Sequence, residues 1–207
     1  MLQRTLGSLL LVVLLASGAR AELPPEASFR RWQDYFWFAG GAATAFVVHE
    51  VSHLSMDLFL GKKVNVEKVK LGPFPFFSLT ACCNLSRDEE WLIASAGFVS
   101  QQMSSELILS LAPRLRAERR PFLKGVLMFD ILLSVGYAIS GFANAGPPSS
   151  DVMTMSRAMQ VEPWKIGLML TAPAVIDLVR YFAPNLSFAP WVSIQTKVLV
   201  AGAFLTF

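Results

Sequence analysis

Long apolar stretches separated by short polar segments dominate the chain. A helix needs about 20 predominantly apolar residues to cross the hydrocarbon core of a bilayer, and most of these stretches reach or approach that length. We therefore predict an all-α membrane protein, built as a bundle of about four to five transmembrane helices. The predicted spans cover residues 35–60, 91–111, 124–142, 163–182 and 191–207.

One segment breaks this helical pattern. Between residues 63 and 80, Val64, Val66 and Val69 stand among polar residues, and a Gly72-Pro73 pair follows. Alternation of apolar and polar positions around a Gly-Pro turn is typical of two short strands. The segment is rich in apolar residues, so we expect a small β-hairpin that lies at or in the membrane.

The N-terminus has the pattern of a secretory signal peptide. Residues 1–21 begin with a basic segment, continue with a short apolar run and close with the small-x-small sequence Ala19-Arg20-Ala21. We interpret residues 1–21 as a signal peptide or an uncleaved signal anchor, and residues 22–207 as one integral membrane domain inserted through the secretory pathway. Orientation stays open, because basic residues at 62–63 and at 114–120 flank one predicted span and cannot both be cytoplasmic.

Composition narrows the classes of protein further. Hydrophobic residues make up 54% of the chain and charged residues 16%, whereas a soluble domain carries about 25% charged residues. This composition excludes a disordered chain. The net charge of +3 excludes a nucleic-acid binder driven by basic charge, and the two cysteines exclude a disulfide-rich scaffold. We expect the partners to be a membrane-protein or peptide substrate and the lipid bilayer.

The two histidines of the chain, His49 and His53, lie four residues apart in the first predicted span, with Glu50 beside the first. Residues i and i+4 share one face of a helix, and two imidazoles at this H-E-x-x-H spacing can hold a zinc ion. Glu50 is then the candidate general base, which takes a proton from water and later donates it to the leaving amine. Three polar groups at one depth of an apolar span are costly unless they are partnered, which favours a metal site.

These residues leave open the third protein ligand that a catalytic zinc requires. The chain has no further histidine, so we expect a carboxylate, with a cysteine as the less favoured choice. In a metzincin, one class of zinc peptidase, the third ligand would fall on Phe59, which cannot bind a metal, so that class is excluded. Asp57 is excluded because three ligands on one straight helix cannot converge on one ion. A downstream glutamate stays a candidate, and those considered are Glu89, Glu90 and Glu106.

At this point the chain resembles the site-2 protease family of intramembrane zinc metalloproteases, over about residues 35–160. The resemblance begins with the H-E-x-x-H element and the hairpin-like segment after it. Residues 94–101 are similar to the small-Gly-Pro-x-x-Asn segment of the family, with Phe98 in place of the proline and Gln101 in place of the asparagine. The last element, residues 144–151, is similar to the family's Asn-x-x-Pro…Asp-Gly element, but valine follows the aspartate.

The resemblance implies His49, His53 and Asp151 as zinc ligands and Glu50 as the general base. It also implies Asn144 as a residue that positions the substrate or an oxyanion.

Two other carboxylates remain alternatives for the third ligand. Asp130 lies inside the third predicted span, where a carboxylate is a functional candidate by default. Asp177 lies inside the fourth span and ranks below Asp130, with Arg180 nearby as an ion-pair partner.

We therefore expect an intramembrane zinc metalloendopeptidase that hydrolyses peptide bonds in or near transmembrane segments. The alternative is a catalytically inactive metal-binding membrane protein related to such proteases, because the element that ends at Asp151 departs from the family pattern. A third hypothesis is a metal-free structural or transport subunit, in which replacement of both histidines leaves function intact.

Overall fold

A computed structural model describes residues 29–71, 74–81 and 84–205. Over these ranges the chain forms six α-helices, one β-hairpin and one short 3₁₀ turn, Leu115–Ala117. The predicted signal peptide and the Gly72-Pro73 turn lie outside the described residues. In chain order the elements are α1 (Trp32–Phe59), β1 (Val64–Leu71), β2 (Phe74–Ala81), α2 (Arg87–Leu111), α3 (Pro121–Ala143), α4 (Asp151–Met159), α5 (Pro163–Phe182) and α6 (Ala189–Leu205).

The predicted helices and hairpin are confirmed at their predicted places. The two strands pair antiparallel, from Val64 opposite Ala81 to Leu71 opposite Phe74, and the hairpin connects α1 to α2.

The number of transmembrane helices predicted from the sequence is not supported. Among the described helices, α3 alone is long and apolar enough to cross a membrane by length and composition. Helix α6 has only 17 residues, and the polar residues His49, Glu50 and His53 interrupt the apolar stretch of α1. One candidate span of this kind is weak evidence for membrane insertion, since a buried helix of a soluble protein has the same composition.

Helices α1 and α3 cross at two glycines that allow their backbones to touch. A Cβ atom at Gly41 would lie 2.1 Å from the carbonyl oxygen of Phe122, and one at Gly125 would lie 2.0 Å from that of Phe38. No side chain fits at either position, so the glycines fix how closely the two helices pack. This crossing sets the distance between the helix that carries the histidines and the helix beside it.

A hydrophobic cluster fastens the short helix α4 to the bundle. Its fully buried members include Trp91 and Phe98 of α2, Val152 and Met155 of α4, and Ile166 of α5. Val152 stands where the resembling family has glycine, and its burial gives that departure a structural reason. The cluster anchors α4 immediately beside its first residue, Asp151.

Helix α2 begins with a capping box that fixes its first turn. The backbone N–H of Glu89 donates to the Ser86 hydroxyl at 3.3 Å, and the Glu89 carboxylate accepts from the Ser86 backbone N–H at 2.8 Å. These bonds satisfy two of the backbone donors that a helix start leaves unpaired. The helix continues from this point along the histidine face of α1.

Candidate metal centre

The two histidines lie on one buried face of α1. His49 is 1% exposed and His53 is 6% exposed, and their Nε2 atoms lie 3.1 Å apart. The Nδ1 atom of His53 lies 2.6 Å from the carbonyl oxygen of Ile93 in α2. Because a carbonyl oxygen only accepts, Nδ1 must donate, and Nε2 of the neutral ring is then free to bind a metal ion.

The start of α4 brings Asp151 to both imidazoles. Its Oδ2 atom lies 3.3 Å from His49 Nε2 and 3.6 Å from His53 Nε2. The structure thus places beside the histidines the carboxylate that the family resemblance implied as the third ligand. The three side chains form a group that could hold a metal ion.

The separations within this group suit a small tetrahedral ion. Ligand atoms at 2.0–2.1 Å from a tetrahedral zinc ion lie about 3.3 Å from one another. The three measured separations are 3.1, 3.3 and 3.6 Å. Two neutral nitrogens and one carboxylate oxygen are also ligand types that zinc accepts, so the residues present fit this metal.

Gly97 of α2 forms the wall of the site. A Cβ atom there would lie 2.4 Å from His49 Cε1 and 2.6 Å from His53 Nε2. Contacts this short do not occur between real side chains, so any larger residue would displace the imidazoles. The glycine of the segment that resembles the family therefore has a direct role in shaping the histidine pair.

Aromatic rings hold the His49 imidazole from two sides. The Phe98 ring meets it edge-on at a centroid distance of 5.8 Å, and the Tyr137 ring lies nearly parallel to it at 6.4 Å with an interplanar angle of 24°. The Nδ1 atom of His49 is buried and has no hydrogen-bond partner among the described residues. Ring packing, rather than a hydrogen bond at Nδ1, therefore orients this imidazole.

The charge state of Asp151 suits a ligand. Burial would raise the pKa of its carboxyl group, but the positive charge that His53 carries when both of its ring nitrogens are protonated, together with the hydrogen bond with His49, outweighs burial and holds that pKa well below its usual range. The carboxylate is therefore ionised at neutral pH.

Glu50, the predicted general base, is half-buried at the edge of the group. It interacts electrostatically with His49, His53 and Asp151. It stands outside the three candidate ligands, which leaves its carboxylate free for proton transfer.

Two of the alternative carboxylates lie in a separate cluster, which we call the polar cluster and define by Glu106, Asp177, Arg180, Ser193 and Lys197. Lys197 Nζ donates to Asp177 Oδ1 at 2.7 Å and to Glu106 Oε2 at 3.1 Å. Arg180 donates to Glu106 at 2.6 Å. The expected partner of Asp177 was Arg180, but the structure assigns this role to Lys197, which approaches from α6.

Asp130 lies next to the polar cluster rather than beside the histidines. It is 3% exposed and interacts with Ser104, Asp177 and Lys197. The structure therefore does not bring this second-choice ligand to the candidate metal centre.

The remaining acidic candidates also lie outside the ligand group. Glu89 forms an ion pair with Lys62 at 2.7 Å. Asp57 is fully buried, and neither of its carboxylate oxygens has a hydrogen-bond partner among the described residues. Its position one turn beyond His53 leaves it off the point where the other three side chains converge, as the sequence argument predicted.

Asn144 caps the C-terminal end of α3 in the left-handed backbone conformation, with φ 48° and ψ 43°. Asparagine tolerates this conformation better than most residues, which gives it a structural role at this position. The side chain is exposed. Its role in positioning a substrate stays a prediction.

Sequence reasoning missed Tyr137 and the carbonyl of Ile93, both of which support the imidazoles. Tyr137 had a signal, because it is the one tyrosine in the apolar stretch 124–142. The carbonyl of Ile93 had none, since every residue carries a backbone carbonyl.

No protein-family model, curated protein or solved structure matches the chain.

Proposed function

We propose that the protein is an intramembrane zinc metalloendopeptidase that hydrolyses peptide bonds in or near transmembrane segments. The observation that carries the proposal is the convergence of His49, His53 and Asp151, with separations close to those of ligands on a tetrahedral zinc ion. Glu50 beside this group supplies the general base that zinc peptidases of the H-E-x-x-H type need.

Each residue has one task in the proposed reaction. His49, His53 and Asp151 would hold the metal, which would supply Lewis-acid chemistry when bound. Glu50 accepts a proton from the attacking water, whose oxygen bonds to the carbonyl carbon of the substrate. The carbon–nitrogen bond then breaks, and Glu50 returns the proton to the leaving amine. One water is consumed for each peptide bond.

We further propose that the five long helices cross a bilayer. Two features support this placement. Charged side chains are buried and paired inside the bundle, as in the polar cluster, whereas large apolar side chains face outward. The most exposed of these are Trp32, Phe59, Met103, Leu111 and Leu199. A protein in water would leave this apolar surface unfavourably hydrated, whereas lipid would cover it.

The direct test measures metal content and cleavage separately, with the full chain purified in detergent and its zinc content determined by elemental analysis. We expect the wild type to retain zinc and the His49→Ala variant to lose it. The Glu50→Gln variant should retain zinc and lose cleavage of a single-span test protein placed in the same vesicles. Glu162→Gln, an exposed substitution outside the site, is the matched control and should alter neither property.

The outcomes separate the proposal from its alternative. A wild type that binds no zinc contradicts the metal site and with it the enzyme. A wild type that binds zinc but cleaves no better than Glu50→Gln indicates the inactive metal-binding protein instead. The observation that favours this alternative is Val152, a buried valine directly after the candidate ligand Asp151.

A further inference from the structure

The candidate ligand Asp151 lies at the point where the chain changes from loop to helix. It is the first residue of α4, and the segment before it, residues 144–149, is exposed throughout. The hydrophobic cluster anchors the body of α4, but helix ends fray and exposed loops open at little cost in free energy. The backbone of the third candidate ligand therefore needs a restraint of its own.

The usual restraint is missing at this helix start. A serine directly before a helix commonly accepts a hydrogen bond from a backbone N–H two or three residues later. Ser150 precedes α4 but makes no such bond, and its hydroxyl oxygen is buried with no hydrogen-bond partner among the described residues. Other contacts must then hold the first turn of α4.

Two side chains tie residues 144–150, which we call the ligand loop, to the helices on either side. Arg157 of α4 donates from Nη1 to the carbonyl oxygen of Pro148 at 2.5 Å. The hydroxyl group of Ser140 in α3 donates to the carbonyl oxygen of Ala145. The ligand loop is thus fastened to α3 near its beginning and to α4 near its end.

The Arg157 bond spans the candidate ligand, because it joins a residue before Asp151 to a residue after it. If the first turn of α4 unwound, Pro148 would move relative to Arg157 and the bond would break. A charged guanidinium donor also makes a stronger hydrogen bond than a neutral donor does. The bond therefore favours the arrangement in which the Asp151 carboxylate lies 3.3 Å from His49 Nε2.

We propose that Arg157 and Ser140 are positioning residues of the candidate metal centre, which hold the ligand loop so that Asp151 meets the two histidines. The inference rests on the proposed function, because it assumes that Asp151 binds zinc. When only a fraction of the molecules has the arrangement that binds, the apparent affinity falls by that fraction. Loosening the ligand loop should therefore weaken zinc binding.

The first test is Arg157→Met, which keeps a long side chain and removes the donor. A hydrogen bond in a folded protein changes an equilibrium by about 3- to 10-fold, and we expect zinc affinity to fall by this factor. Lys165→Met is the matched control, because it removes the same charge from an exposed residue that pairs with Glu162. Loss of a positive charge would by itself strengthen the binding of a cation, so charge and positioning predict opposite signs.

The second test is Ser140→Ala, which removes a single oxygen atom and should also weaken zinc binding. Zinc affinity of the full chain in detergent is measured by competition with a chelator. Hydrogen exchange at the backbone amides of Ser150 and Thr154, measured without zinc, reports opening of the ligand loop. Both amides donate backbone hydrogen bonds, so their exchange should be faster in the two loop variants than in the control.

The possible results distinguish the failure of this inference from that of the proposed function. A loop variant that binds zinc as tightly as Lys165→Met contradicts the positioning role of its residue, whatever the exchange rates show. If the wild type itself binds no zinc, the proposed function is wrong and the inference goes with it. Ser140→Ala decides the question even if Arg157→Met does not fold.

Discussion

The candidate metal centre and the polar cluster both bury ionisable side chains inside the same helical bundle. The two regions differ in the partners that these buried side chains have. In the polar cluster, two carboxylates face two basic side chains, and each charge has an opposite partner within 3.1 Å. In the metal centre, two imidazoles and a carboxylate converge on one point, and no lysine or arginine among the described residues forms an ion pair with them.

This difference separates a structural group from a candidate site. A buried charge is tolerated when an opposite charge and hydrogen bonds compensate for its lost hydration. The polar cluster meets that condition within the chain and ties α6 to α2 and α5. The candidate metal centre presents three electron-pair donors at ligand spacing, a group that could hold a cation from outside the chain. The four predictions below test this contrast, in order of decreasing expected effect.

Removal of one charge from the polar cluster should have the largest effect on stability. In Lys197→Met, the Asp177 carboxylate loses its 2.7 Å partner, and breaking a buried pair costs about 3–5 kcal/mol. We expect denaturant unfolding in micelles to show a loss of this size, with zinc affinity unchanged. Lys165→Met, which removes an exposed lysine paired with Glu162, is the control. A Lys197 variant as stable as this control would show that pairing in the cluster contributes little.

Zinc should stabilise the protein by a similar amount, but only by binding at the candidate metal centre. A ligand present at 1,000 times its Kd stabilises the state that binds it by about 4 kcal/mol. We expect this increase in the free energy of unfolding for the wild type and for Lys197→Met. His53→Ala should show no increase, and a chelator should reverse the effect in the wild type. An equal response of His53→Ala would place the metal elsewhere.

Gly97→Ala should have an intermediate effect confined to the metal centre. The added methyl group would lie 2.4 Å from His49 and 2.6 Å from His53, and overpacking of this kind costs about 1–3 kcal/mol. We expect lower stability together with weaker zinc binding, both measured in the full chain. Gly136→Ala is the matched control, because a Cβ atom there meets nothing within 4 Å. Zinc affinity that is the same in both variants would argue against Gly97 as the wall of the site.

The exposed pair of Glu162 with Lys165, 2.6 Å apart, should have the smallest effect. The hydrogen bond from Lys165 holds the pKa of Glu162 below its usual range. A lowered pKa in the folded state stabilises the protein above the unfolded-state pKa, and this contribution disappears as the pH falls through the folded-state pKa. Glu162→Gln should therefore be slightly less stable at neutral pH and equal to the wild type in acid, as followed by thermal unfolding. A large effect at neutral pH would show that solvent-exposed pairs contribute more here than the contrast assumes.

The elements of the fold follow from patterns that one sequence contains. Long apolar stretches predicted the five long helices, and the alternation around Gly72-Pro73 predicted the hairpin. The membrane placement of those helices does not follow, because composition alone does not distinguish a helix buried against protein from one facing lipid. His49, Glu50 and His53 illustrate this limit, because they face the inside of the bundle and lower the apolar character of α1.

The candidate site could be predicted in part. His49, Glu50 and His53 are close in sequence, so helix geometry alone places them together. Asp151 lies 102 residues from His49, and only the family resemblance singled it out from the other carboxylates. Asp130 and Asp177 had comparable sequence signals, but partners from α2 and α6 draw them into or beside the polar cluster. Contacts between distant elements decide such cases, and no local pattern encodes them.

The distance along the chain between His49 and Asp151 has a consequence for biosynthesis. Chains emerge from the ribosome N-terminus first, so the histidine pair exists long before α4 has been made. During that interval the growing chain offers two nitrogen ligands without the carboxylate, and the candidate centre is incomplete. Under the proposed function, a centre that is completed only when Asp151 arrives would stay inert until most of the bundle is in place.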